Sequence, residues 1–156
     1  MTATSHAVAA LVTRSCTPRS TRTARLAYSE VLNDELGATA AGFWTRATSF
    51  FAGYGISVEA VLTDNGSCYR SRVFAAALEE IQHRRTRPRR PQTNGKVERF
   101  NRTLLDEWAY VRPYASEAER VAALDEWLHL YSHHRHHTAI GGTPIERVND
   151  LLGQYN

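Results

Sequence analysis

Cysteine is scarce: two thiols, Cys16 and Cys68, stand in unrelated contexts along 156 residues. That excludes a disulfide framework and a paired-cysteine metal knuckle, and makes a reducing cytosol the simplest setting. Long apolar runs are missing as well. Nothing approaches the roughly 18 consecutive apolar residues of a membrane helix, so no membrane is expected among the partners. Acid is absent from the first 29 residues, where Arg14, Arg19, Arg22 and Arg25 lie among Ser, Thr and Ala without a helical or strand period. An arginine-rich, acid-poor start fits a transit peptide, but the apolar piece AVAALV is too short and too poorly flanked for a secretory signal. Internal repeats and low-complexity tracts are also absent.

What is present is one ordinary core's worth of material, 42% hydrophobic with a formal charge of +3. HAVAALVT is at best a strand, and order is expected to begin at RLAYSEVL, residues 25–32, as a strand. In ATAAGFWTRATSFFAGYG, Phe43, Ala47, Phe50 and Tyr54 recur at helical spacing, with Gly53 or Gly55 as the stop. ISVEAVLT then reads as a buried strand that delivers Asp64 at its C-terminal end, where α/β sheets place their chemistry. SRVFAAALEEIQ predicts a helix and HRRTRP an edge strand or extended connection. After the loop RRPQTNG, the segment NGKVERFNRTLLDEWAY sets Val97, Phe100, Leu104 and Trp108 on one face of a helix packed on the sheet. Capping boxes at Ser116–Glu119 and Thr143–Glu146 open two further helices, the first running through Val121, Leu124, Leu128 and Tyr131. The order is therefore β-α-β-α-β-α followed by helices.

A lone Asp64 before an Asn-Gly step is ordinarily a turn former or a helix cap, so chemistry requires a second acid. Glu98 is the candidate. With Asn94, Asn101 and Arg102 it falls on one polar stripe of its helix, although pairing with Arg102 on a solvated face accounts for it equally. The surroundings favour chemistry. From His83 to Arg102 eight cations (Arg84, Arg85, Arg87, Arg89, Arg90, Lys96, Arg99, Arg102) surround that single acid. A one-signed stripe suits a phosphate backbone, because neutralising it releases counterions. An anion within that stripe weakens phosphate binding unless it holds a divalent metal that bridges to phosphate oxygens.

LTDNGSCYRS, RRTRPRRPQTNGKVERFNRTLLDEWAY and HTAIGGTPIERV closely resemble the catalytic core of bacterial insertion-sequence transposases of the retroviral-integrase type. The resemblance runs from about Ala24 to the C-terminus. It implies an α/β, ribonuclease-H-like core with its first strand or strands missing or distorted, followed by C-terminal helices. It further implies DNA as substrate, two Mg²⁺ or Mn²⁺ ions, and a bacterial cytoplasmic, nucleoid-associated setting. By position Asp64 corresponds to the second aspartate of the family's acidic triad and Glu98 to its glutamate, both catalytic and metal-ligating. Arg87, Arg89, Arg90, Asn94, Lys96, Arg99 and Arg102 then face the nucleic acid, with Asn94 orienting substrate or metal-bound water.

Two departures qualify the resemblance. Asp64 and Glu98 are separated by 33 residues, a couple fewer than is usual, and the shortage falls near Glu80–His83. The first aspartate has no counterpart. No Asp precedes Asp34, which lies after the RLAYSEVL strand and so in the wrong place. Residues 1–23 are expected to be an atypical, disordered or degenerate segment on a partial core spanning 24–156. The isolated chain is accordingly expected to be inactive, assembling with itself or with a full-length transposase. The alternative is a non-catalytic nucleic-acid-binding or interaction fragment.

The remaining features read as structural. His129, His133, His134, His136 and His137 lack a cysteine or acid pattern that completes a zinc tetrahedron. Trp44, Trp108 and Trp127 fit core or interface anchors better than base-stacking platforms. Cys68 has no base partner in sequence.

Overall fold

The first two strands pair with each other. Ala7–Val12 (β1) pairs with Ala27–Leu32 (β2). The computed structural model describes residues 24–87 and 95–153, together with the backbone of β1. The strand readings of HAVAALVT and RLAYSEVL are both met. By contacts the chain divides into two units, Met1–Ala9 with Glu30–Gly95 and Ala10–Ser29 with Lys96–Asn156. Among the described residues the strands form two separate two-stranded ladders rather than the single mixed sheet expected.

In the first unit, helix α1 spans Gly37–Gly53. Asp34 stands just before its start: the carboxylate accepts the amide of Leu36, the N-cap residue, at 3.0 Å. This bond and one from the Thr39 side chain, the larger cause, hold its pKa below the ordinary value. The out-of-place aspartate is thus a helix-start residue. The buried face of α1 is Ala40, Phe43, Trp44, Ala47 and Phe51, turned by about one residue from the expected stripe, because Trp44 and Phe51 carry the larger apolar surface. Phe50 and Tyr54 lie half-buried at its margin, ring centroids 5.1 Å apart. At the C-terminus Gly55 takes φ +72°, while Ile56 N–H donates to the Phe51 carbonyl and Gly55 N–H to that of Ala52. This is a Schellman stop with buried Ile56 as its apolar contact.

Strand β3, Ala60–Thr63, is shorter than the apolar run that predicts it. After a 3₁₀ turn at Cys68–Arg70, helix α2 spans Arg72–Leu78, capped by Ser71, whose Oγ accepts the Phe74 amide. Helices α1 and α2 approach so closely that a Cβ on Gly37 would lie 2.3 Å from Ser71 Oγ. Three residues then return the chain to β4, Gln82–Arg85, which pairs with β3 in parallel. Glu79 takes φ +51° and ψ −114°, and Ile81 N–H donates to the Leu78 carbonyl. That is a type II′ turn with a non-glycine residue at the position that favours glycine. It lies beside the segment where the family spacing runs short.

In the second unit, α3 spans Gly95–Leu104 and continues into a π-helical turn, Leu105–Ala109. Phe100, Leu104 and Trp108 are buried as the stripe predicts. In a regular α-helix each four-residue step overshoots a full turn by about 40°. The wider π turn returns Trp108 toward the buried stripe. Within this unit the stripe meets α4, Glu117–His133: Phe100 stands edge-on to Tyr131 at 5.1 Å, and Trp127 stacks on Tyr131 at 5.2 Å. Trp108 Nε1–H donates to the Arg120 carbonyl at 2.8 Å, and Arg120 lies over the indole. Tryptophan thus serves as a core anchor, and Trp44 does the same in α1.

Only half of the first expected capping box forms. Ser116 accepts the Glu119 amide, but the Glu119 carboxylate reaches past Ser116 to the Ala115 amide and to Arg112. The Thr143–Glu146 box closes in both directions at the start of α5, Pro144–Leu152, with Pro144 in the first turn. Of the residues expected along α4, Leu124 and Tyr131 are buried while Val121 is exposed.

Candidate functional site

Asp64 leaves the C-terminal end of β3 exposed to solvent. Its Oδ1 accepts the Gly66 amide at 2.8 Å. A Cβ on Gly66 would meet that oxygen at 2.9 Å, so the turn holds the carboxylate only with a glycine there. The adjoining backbone is fixed from two sides. Asn65 Nδ2–H donates to the Thr86 carbonyl at 2.8 Å, and Thr86 N–H donates to the Thr63 carbonyl at 2.9 Å. The Thr63 hydroxyl donates to the Asp64 carbonyl at 2.9 Å and lies 2.8 Å from His83 Nε2. Burial, then Arg85, hold His83 below the ordinary imidazole value. Sequence reading missed this histidine; its place opposite Val61 of β3 was hidden until the register was known.

Because β3 and β4 run parallel with Thr63 opposite Arg85, the chain leaves both strands at the same end. Asp64 and the exposed Arg87, the head of the basic segment, therefore emerge together. Arg89, Arg90 and Asn94 lie outside the described residues. Cys68 is part-buried, and burial raises its thiol pKa, which agrees with the reading that it is no nucleophile. Tyr69, next to it, is pushed up to about 12, chiefly by burial.

Glu98 lies in the first turn of α3, exposed, with Lys96, Arg99 and Arg102 also exposed on that helix. It forms no ion pair with Arg102, so the ordinary solvated-pair account is not realised. Asn101, expected on the same polar stripe, is half-buried. Asp64 belongs to the first unit and Glu98 to the second. Among the described residues no three His, Cys, Asp or Glu side chains gather as ligands for one ion. No helix among them is long and apolar enough to cross a membrane.

Comparison with known proteins bears on both units. The family model described as integrase core domain matches residues 79–144, which contain Glu98 and the whole basic segment but not Asp64. The putative transposase InsD for insertion element IS2E of Escherichia coli (strain K12) is 34% identical over 83 residues, 51% of this chain and 38% of that protein. Transposase InsD for insertion element IS2A/D/F/H/I/K of Escherichia coli is equally similar over 27% of its length. The chain thus matches well under half the length of these relatives. Among solved structures, the catalytic core domain of BIV integrase superposes with a TM-score of 0.63 at 22% identity, covering 84% of this chain and 83% of that one. A chain of the simian T-cell lymphotropic virus intasome gives 0.66 at 24% identity, covering 81% and 45%. At such identities the likeness speaks for the fold, which is that of the retroviral integrase catalytic core. The motifs around Glu98, the family match over residues 79–144 and this fold agree: the chain is similar to the integrase core of transposases and integrases.

Proposed function

We propose that the chain is a partial transposase catalytic core that binds DNA through its basic segment and keeps two metal-ligating carboxylates, Asp64 and Glu98, without cleaving DNA by itself. The observation that carries the reading is the parallel β3–β4 ladder, which releases an acid and the start of an arginine-rich segment at one end. Arg87, Arg99 and Arg102, with Lys96 and the sequence-assigned Arg89 and Arg90, neutralise backbone phosphates, while Asn94 orients the substrate.

Divalent-metal use is general in this family. The donors here suit a hard cation such as Mg²⁺ or Mn²⁺: both are carboxylates, both are exposed, and the Gly66 amide engages only one Asp64 oxygen. In the integrase-core family such ions would supply activation of water or a 3′-hydroxyl and stabilisation of the leaving oxygen. No acid precedes Glu30 in this sequence. The strand that pairs with β2, Ala7–Val12, reads AVAALV and carries no acid. Two carboxylates hold Mg²⁺ only with help from substrate phosphates. This supports DNA binding without turnover, and assembly with itself or with an intact relative.

Fluorescence anisotropy on duplex DNA between 50 and 200 mM salt tests the binding. The slope of log K against log salt is expected to be steep, and Arg99→Ala and Arg102→Ala each to reduce it by about one. Binding that ignores salt would refute the DNA assignment. Incubation with Mg²⁺ or Mn²⁺ is expected to give neither nicked nor joined product; robust product lost in Asp64→Asn refutes the inactivity.

A further inference from the structure

The C-terminal end of α4 gathers imidazoles that the transposase reading leaves unused. His129 Nε2 and His134 Nε2 lie 3.4 Å apart. His133 stacks on the His129 ring with centroids 4.6 Å apart and planes at 25°. Both facing rings are exposed and are held by ordered backbone, since His129 lies within α4 and His134 N–H donates to the Leu130 carbonyl at 3.0 Å.

That spacing is chemically specific. Two nitrogens bound to one Zn²⁺ at about 2.0–2.1 Å in a tetrahedron stand about 3.3–3.4 Å apart. The last turn of a helix also presents unpaired carbonyls whose partial negative charge favours a cation. Among the described residues no third His, Cys, Asp or Glu converges on the point, so two coordination positions stay open to water or an outside donor.

We propose that His129 and His134 form an exposed two-imidazole site for a borderline divalent transition metal such as Zn²⁺, separate from any Mg²⁺ chemistry. It rests on no part of the transposase reading. Imidazole selects zinc, copper or nickel over magnesium, so the two kinds of site are chemically distinguishable.

The test uses the untagged full-length chain, with Zn²⁺ titrated against a chromophoric chelator and Co²⁺ absorption reporting tetrahedral geometry. Binding in the micromolar range is expected, undisturbed by excess Mg²⁺. Loss of an outer-shell partner costs a metal site about 10–100-fold, so His129→Gln and His134→Gln should each weaken binding by at least about tenfold. His136→Gln and Asp64→Asn should leave it intact, and circular dichroism checks that each variant folds. No binding, binding unmoved by either of the first two substitutions, or equal loss in His136→Gln or Asp64→Asn would overturn the site and reduce the pair to a hydrogen bond between rings.

Discussion

The unit containing Asp64 and the unit containing Glu98 hold their acids by different physics. Asp64 stands on backbone: its neighbours are fixed by a parallel ladder, the Asn65 side chain bonded to Thr86, and the Thr63 hydroxyl between His83 and the Asp64 carbonyl. Glu98 stands on side-chain burial. Helix α3 has high polar content and keeps its place in its unit through Phe100, Leu104 and Trp108 packed beneath its charged face. A short strand tolerates little change in register, because a one-residue slip turns every side chain to the other face. A helix face tolerates surface change freely but depends on a few large anchors.

That contrast can be broken at the anchor. Trp108→Ala removes a buried indole, its hydrogen bond to the Arg120 carbonyl and the surface under Arg120. A loss of about 3–5 kcal/mol is expected in urea unfolding of the whole chain. A loss under about 1 kcal/mol would mean that the π turn does not organise its unit. Gly37→Ala probes the other unit. The added methyl collides with the Ser71 cap of α2, so about 1–3 kcal/mol should be lost, whereas Gly53→Ala, with open space around its Cβ, should be tolerated.

A smaller effect has the opposite sign. Glu79→Gly should raise stability by about 1 kcal/mol, because it relieves a strained non-glycine residue in the II′ turn between α2 and β4. No gain in thermal midpoint would show the turn to be unstrained. The smallest effect concerns the Glu107 carboxylate, which binds Arg135 and Trp127 within the second unit. The hydrogen bond from Arg135 is the main cause that depresses its pKa. A depressed carboxyl stabilises the fold above its unfolded value and loses that contribution as pH falls through the folded one. Glu107→Gln should therefore cost less than about 1 kcal/mol near neutrality, the pair being largely exposed, and nothing below the carboxylate range. Parallel stability curves for the two proteins across acid pH would refute the linkage.

Much of the fold was legible in local pattern. The Ala27–Leu32 strand, the Gly55 stop, the Arg72–Leu78 helix, the Phe100–Leu104–Trp108 stripe and the Thr143–Glu146 box are each specified by residues within a turn or two of one another. What escaped were the features set by distant partners. The face of α1 depends on which side α2 covers, the reach of Glu119 past Ser116 depends on Arg112, and the length of β3 depends on β4. The candidate acids were legible as motif members, but their anchoring was not, since Thr63 and His83 are 20 positions apart.

By itself, the sequence determined the order of strands and helices, the concentration of cations from Arg84 to Arg102, the two candidate acids Asp64 and Glu98, and the absence of any acid before Glu30. Periodicity, caps and charge density are local quantities, and short-range sterics and hydrogen bonds read them out directly. Tertiary structure alone decided that Asp64 and Arg87 leave one end of a parallel pair, that Asp34 bonds the Leu36 amide just ahead of a helix, and that His129 and His134 bring their Nε2 atoms within 3.4 Å. Those outcomes rest on register, close approach and side-chain direction, which are fixed only when separate segments compete for the same space.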